Sequence, residues 1–159
     1  MNKRLLKKKI IARLTEELET YLRAARASRA EATHEQSRAE NKYDTRGLEA
    51  SYLAKGQSRQ VAELESAIAT FEKMEIKNFT EGSGIEVGAV VTVEHRGEKT
   101  TYFIATKAGG TEEIYDRNEV LVITPQSPLG EQLMEKKQGD RLKLALNGAP
   151  DPYLVVSVV

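Results

Sequence analysis

Two apolar series that mirror each other constrain this chain more than any other feature. Ile11, Leu14, Leu18, Tyr21, Ala25, Ser28 and Ala32 alternate steps of three and four residues, and so do Ala50, Ala54, Gln57, Val61, Leu64, Ile68 and Phe71. Such spacing is a heptad seam on each of two long helices. Large side chains open the first series and close the second. Antiparallel packing therefore sets Ile11 against Phe71, Leu14 against Ile68 and Tyr21 against Val61. The pairs share one midpoint, which predicts a turn around Asn41. Toward that turn the seam thins to Ala and Ser, so the helices can approach closely and form a slender tip. At ~1.5 Å per residue, a helix from about Leu5 to Gln36 is on the order of 45–50 Å long.

Charge and composition change near residue 80. The 159 residues carry 24 basic and 24 acidic side chains. Residues 1–79 hold 16 basic and 12 acidic groups, and residues 80–159 hold 8 and 12. All four prolines and nine of the 11 glycines follow residue 80. Thr80-Glu81-Gly82-Ser83-Gly84 reads as a linker between modules. The expected organisation is a hairpin over 1–79 with its tip near 36–46, a linker over 80–84 and a second domain over 85–159. Absence of cysteine excludes disulfides, thiol nucleophiles and thiolate metal sites. Only His34 and His95 are present, far apart, which argues against a histidine-built metal centre. No apolar run approaches the ~20 residues of a membrane span. The basic start lacks the apolar stretch of a signal peptide, so a cytoplasmic location without membrane contact is expected.

The predicted tip reads Ser37-Arg38-Ala39-Glu40-Asn41-Lys42-Tyr43-Asp44-Thr45-Arg46. Glu40 and Asp44 bracket the apex. Two neighbouring carboxylates can ligate a hard cation such as Mg²⁺, but a stable cage needs more oxygens. Such a pair works best by completing a site that a partner provides, with no metal held by the isolated protein. The same residues also suit a solvated loop with a helix N-cap at Asp44 or Thr45. Arg23, Arg26, Arg29, Arg38 and Arg46 lie along the shaft, where guanidinium forks match phosphate oxygens of a nucleic-acid strand. Glu31, Glu35 and Glu49 offer the alternative of ordinary surface ion pairs. Few aromatics interleave these arginines, unlike a free-standing single-strand binder.

From Ile85 the pattern becomes strand-like. The run Ile85–Glu94, a turn at Arg96-Gly97-Glu98 and the run Thr100–Ala105 predict a hairpin. Val120–Ile123 reads as a short buried strand stopped by Pro125. Ser127 and Pro128 fit the N-cap and first turn of a helix with Leu129, Leu133 and Met134 on its apolar face. Arg141–Leu146 and Tyr153–Val158 close the chain as strands. Asp116 and Asp140 suit turn and cap positions. The expected class is α+β: an N-terminal antiparallel coiled-coil hairpin, then four or five antiparallel strands on one short helix. No nucleophile–base pair or phosphate-cradling glycine motif appears in this domain.

The segment Ile123-Thr124-Pro125-Gln126-Ser127-Pro128-Leu129-Gly130-Glu131-Gln132-Leu133-Met134-Glu135-Lys136-Lys137-Gln138-Gly139-Asp140 resembles the C-terminal signature of the bacterial GreA/GreB transcript cleavage factors. The shared order is Ser-Pro, a short Leu-rich helix, then Lys-x-x-Gly-Asp before the last strands. Close motif agreement covers residues 123–140, and the architecture matches over the whole chain. The resemblance implies an FKBP-like second domain that docks at the mouth of the RNA polymerase secondary channel, with Gln126, Ser127, Pro128 and Leu129 in the docking loop. It further implies a monomer whose hairpin reaches the polymerase centre beside the nascent RNA 3′ segment. There the tip acids help retain Mg²⁺, and the polymerase hydrolyses the RNA of a backtracked complex. The factor itself is then no enzyme.

One departure stands out. The family tip reads Asp-x-x-Glu-Asn; Glu40-Asn41 matches its end, but Ser37 occupies the Asp position. Asp44 is the available second acid. The alternative role is a channel-binding modulator or inhibitor that does not stimulate cleavage. A prolyl isomerase reading of the FKBP-like fold meets the absence of Trp, and its aromatics are only Tyr102, Phe103, Tyr115 and Tyr153.

Overall fold

A computed structural model describes residues 1–33, 52–146 and 149–159. The predicted tip and its turn therefore lie outside the described residues. Helix α1 spans Lys3–Thr33 and α2 spans Lys55–Lys73. Asn2 caps α1, its side-chain oxygen accepting from the Leu5 N–H at 3.1 Å. At α2 the Gln57 side chain accepts from the Ala54 N–H at 3.2 Å, satisfying a donor at the helix start.

The buried stripe on α1 consists of Lys3, Leu6, Ile10, Leu14, Leu18, Leu22 and Ala25. Leu14, Leu18 and Ala25 belong to the predicted seam, but Ile10 and Leu22 are buried where Ile11 and Tyr21 were expected. Steps of four dominate this stripe, so the buried side drifts around the helix relative to a strict heptad. On α2 the buried residues are Val61, Leu64, Ala67 and Phe71, with Ile68 only partly covered. Contacts group Ile11–Ala69 as one compact unit and Met1–Ile10 with Thr70–Val159 as the other.

The larger unit is built on six strands: β1 Val90–His95, β2 Glu98–Ile104, β3 Glu112–Tyr115, β4 Asn118–Ile123, β5 Arg141–Leu146 and β6 Ala149–Val158. Their order across the sheet is β3-β4-β2-β1-β6-β5. All neighbours are antiparallel except β2 and β4, which run parallel with Thr101 opposite Val120. Neither β3 nor the parallel pair is among the elements expected from the sequence. Strand β3 has only four residues, and alternation is weak evidence over so short a run.

Arg96 and Gly97 join β1 to β2, with φ of 53° and 81°. Positive φ at both loop residues is the type I′ geometry whose twist suits a two-residue hairpin. Asp116 and Arg117 repeat it between β3 and β4, at 50° and 65°. Strand β6 begins earlier than expected, running through Pro150 and Pro152. Those prolines pair only with β5, whereas β1 joins β6 from Leu154 onward. A strand side without a second neighbour tolerates the missing N–H groups.

Alternation along the strands covers both sheet faces. Val91, Val93, Ile104, Ile123, Leu142, Val155 and Val158 form one core with Ile85, Ala89 and Leu133. Helix α3, Pro128–Leu133, contributes Leu133 to it. Phe103, one residue from Ile104, points the other way and meets Phe71 edge-on, ring centroids 5.9 Å apart.

Lysines tie the start of α1 to the segment after α2. The Lys7 ammonium donates to the Glu72 carbonyl at 3.0 Å and the Met74 carbonyl at 2.8 Å. Carbonyls at a helix C-terminus lack intrahelical partners, so Lys7 fills that need from another helix. Lys3 is 6% exposed; its ammonium donates to the Lys77 carbonyl and the Gly88 carbonyl, and lies 4.5 Å from the Phe79 ring centre. Burial lowers its pKa from the ordinary lysine value.

Candidate functional site

The loop Thr124–Leu129 leaves β4 at the sheet end and turns into α3. Ser127 holds it. The Ser127 hydroxyl donates to the Thr124 carbonyl at 2.7 Å and accepts from the Gly130 N–H at 3.1 Å. The Glu131 N–H donates to the Ser127 carbonyl at 2.8 Å, starting the helix. Pro128 sits in the first turn, where its missing N–H costs nothing.

This loop leaves no room for a side chain at Gly130. An added Cβ there would lie 1.9 Å from the Thr124 carbonyl oxygen and 2.7 Å from Ser127 Oγ. Close backbone approach thus requires glycine. The four residues implied in docking are consequently unequal. Gln126 and Pro128 are exposed, Leu129 packs partly against the sheet core, and the Ser127 hydroxyl is occupied within the loop. The result is a rigid frame that presents a polar amide and a proline ring.

Beyond α3 the motif ending in Gly139-Asp140 is structural. Asp140 accepts from the Lys137 N–H at 2.8 Å, and Gly139 adopts a φ of 92°. The Gly139 N–H donates to the Val155 carbonyl at 2.8 Å, so the turn is pinned to β6. Asp116 is likewise a turn residue, its carbonyl accepting from the Asn118 side chain at 3.0 Å.

On α1, Arg23 and Arg26 are exposed and Arg29 is half-buried. Successive steps of three spread them over an arc of roughly 120°. Arg26 lies 4.0 Å from the Glu19 carboxylate. Arg38, Glu40, Asp44 and Arg46, with Ser37, lie outside the described residues. Among the described residues no three His, Asp or Glu side chains gather as a potential metal site.

The aromatics of the second domain do not converge on one pocket. Phe103 is wholly buried toward Phe71, and Tyr102 lies on the opposite sheet face. Burial, with a smaller contribution from Tyr153, raises the Tyr102 pKa against the opposing pull of the Thr100 hydrogen bond. Tyr115 accepts from the Asn2 N–H at 3.1 Å. Tyr153 stacks on His95 at 4.0 Å and 6°, and Asp151 stands beside both His95 and the Arg96 guanidinium. No local pattern signals that cluster, because its members meet only through the pairing of β1 with β6.

Residues 80–159, half of the chain, match the family model "Transcription elongation factor, GreA/GreB, C-term". Among solved structures, GreA factor homolog 1 (Gfh1) of Thermus thermophilus is 23% identical with a TM-score of 0.37, and the alignment covers 94% of each chain. Thermus aquaticus Gfh1 is 20% identical with a TM-score of 0.39, covering 95% of this chain and 94% of that one. GreA/GreB from Nitrosomonas europaea is 14% identical with a TM-score of 0.37, over 60% and 77%. The comparison with curated proteins gives no match. The family model spans the Gln126–Leu129 loop, α3 and the Gly139-Asp140 turn together, and on that match the chain belongs to the GreA/GreB family of transcription elongation factors.

Proposed function

We propose that this protein binds RNA polymerase at its secondary channel and stimulates hydrolytic cleavage of RNA in backtracked complexes, the polymerase itself performing the chemistry. The observation that carries this reading is the family match over residues 80–159, which includes the Gln126–Leu129 loop. Gln126 and Pro128, exposed on the frame built by Ser127 and Gly130, contact the channel rim. The monomeric factor then lays Arg23, Arg26, Arg29, Arg38 and Arg46 near the phosphates of the RNA 3′ segment. Glu40 and Asp44 supply anionic oxygens to Mg²⁺ shared with the polymerase centre. In this role the hairpin and the FKBP-like domain act together in the cytoplasm.

The test is RNA shortening in a purified backtracked complex at fixed Mg²⁺. Glu40→Gln and Asp44→Asn each keep size and remove charge, so each depresses cleavage strongly without altering polymerase binding. Full cleavage by the double amide variant overturns the catalytic role. Changing Arg23, Arg26 and Arg29 together to Glu reduces crosslinking to RNA more than it reduces polymerase binding. Equal loss of both would make these arginines part of the docking surface.

Ser37 favours a second reading, a channel-occupying modulator without cleavage stimulation, since it stands where the family tip has an acid. In that case the wild-type protein binds but shortens little RNA, and Ser37→Asp creates some cleavage.

A further inference from the structure

The first fifteen residues hold six basic side chains, and no acid precedes Glu16. The structure accounts for some of this charge. Lys3 is buried under Phe79, Lys7 serves the carbonyls of Glu72 and Met74, and Lys9 approaches the Glu113 carboxylate at 3.5 Å. Arg4 and Lys8 are exposed and enter no ion pair among the described residues. They stand one turn apart on one face of α1, beside Leu5, itself 45% exposed.

Local electrostatics does not explain them. The N-terminus of a helix is the positive end of its dipole and favours acids in the first turn. α1 has no acid there and carries Lys3 and Arg4 instead. Such a local conflict marks a position kept for something other than helix stability. Next to these cations lies a groove of about 320 Å³, lined by Arg4, Lys7, Lys8, Met74 and Ile76. Its floor is apolar and half-covered, its rim is cationic, and no acidic side chain lines it.

We propose that this groove docks a short acidic segment of a partner protein, an apolar side chain seated on Met74 and Ile76 and carboxylates on Arg4 and Lys8. Charge complementarity selects the acid, and the Met–Ile floor selects a peptide over nucleic acid. A phosphate backbone gains little from an apolar floor and calls for a longer cationic track. The surface is separate from the Gln126–Leu129 loop, and the inference does not rest on polymerase binding.

The experiment uses the full chain and a short fluorescein-labelled peptide in which Glu and Asp flank a Leu-Phe pair, followed by anisotropy. The same peptide with Gln and Asn in place of the acids, and a single-stranded DNA of similar charge, serve as competitors. The acidic peptide binds, and raising salt weakens it. Arg4→Glu with Lys8→Glu weakens binding about tenfold or more, as expected when two exposed attractions become repulsions. Arg4→Glu puts an acid in the first turn of α1, which suits the helix dipole, and Lys8 is exposed, so this variant keeps its fold, which circular dichroism verifies. Ile76→Ser weakens the same complex through the floor. Equal binding of the amide peptide, unchanged affinity of the double charge variant, or displacement by the DNA in preference to the acidic peptide each overturns the proposal.

Discussion

Phe71, in the last turn of α2, meets Phe103 of β2 edge-on at 5.9 Å and 63°, and both rings are fully excluded from solvent. The quadrupoles of two aromatic rings favour this arrangement. Together with the Lys3 and Lys7 contacts, it fastens the ends of both helices to the sheet.

Phe71→Ala is expected to destabilise this unit by about 3–5 kcal/mol, the cost of emptying a buried aromatic site. Urea unfolding followed by far-UV circular dichroism measures it. A loss below about 1 kcal/mol would show that the sheet closes over the gap or that the contact is peripheral.

Lys3→Met removes an ammonium but leaves the Lys77 and Gly88 carbonyls without that donor. A net loss of roughly 1–3 kcal/mol is expected at neutral pH. The pH dependence has a definite sign. With its folded pKa lowered, Lys3 sheds its proton in the folded state first, so its contribution to stability rises as pH climbs from the folded pKa toward 10.5. Tyr102, with a raised folded pKa, acts in the opposite sense above pH 10. The difference between wild-type and Lys3→Met stability across that range isolates Lys3. A difference that stays flat contradicts the assignment.

Gly130→Ala drives a methyl group into the Thr124 carbonyl. The loop must open, and a cost of roughly 3 kcal/mol follows from overpacking at backbone. Thermal melting reports the loss. A wild-type melting temperature would mean that Thr124 yields freely.

Gln126→Arg with Pro128→Ala leaves the Ser127 hydrogen bonds in place, because neither exposed side chain takes part in them. Competition for core RNA polymerase is expected to show weaker binding, with circular dichroism unchanged. Undiminished affinity would place the docking contact on another surface.

Arg117 holds a φ of 65° in the second loop position of the β3–β4 hairpin, a conformation that suits glycine. Arg117→Gly should raise stability by about 0.5–1 kcal/mol, relief of left-handed strain exceeding the flexibility added to the unfolded chain. A lower melting temperature would reveal a contribution from the Arg117 side chain.

Local chemistry made much of this molecule legible. The two helical series, the Arg96-Gly97 turn, the Ser127 cap with Pro128 behind it and the turn role of Asp140 all depend on residues a few positions apart. Such features follow from spacing, φ preference and short-range hydrogen bonds, which sequence expresses directly. The basic start of the chain was equally visible, although its division into structural and unpaired cations was not.

What lay beyond sequence depends on distant partners. Which side of α1 is buried changed from Ile11 and Tyr21 to Ile10 and Leu22, because neighbouring helical positions differ by about 100° and either side was apolar enough to serve. Placing β2 beside β4 in parallel requires a connection through β3 that no local pattern encodes. The lysine contacts arise because carbonyls after α2 were left without partners, and Lys3 and Lys7 stand within reach only once the chain has doubled back. Sequence alone determined the two helical series, most of the strands and several of the turns between them, but not the short strand β3. Tertiary structure decided which faces meet and which charges remain unpaired, since burial and pairing belong to groups that only folding brings together.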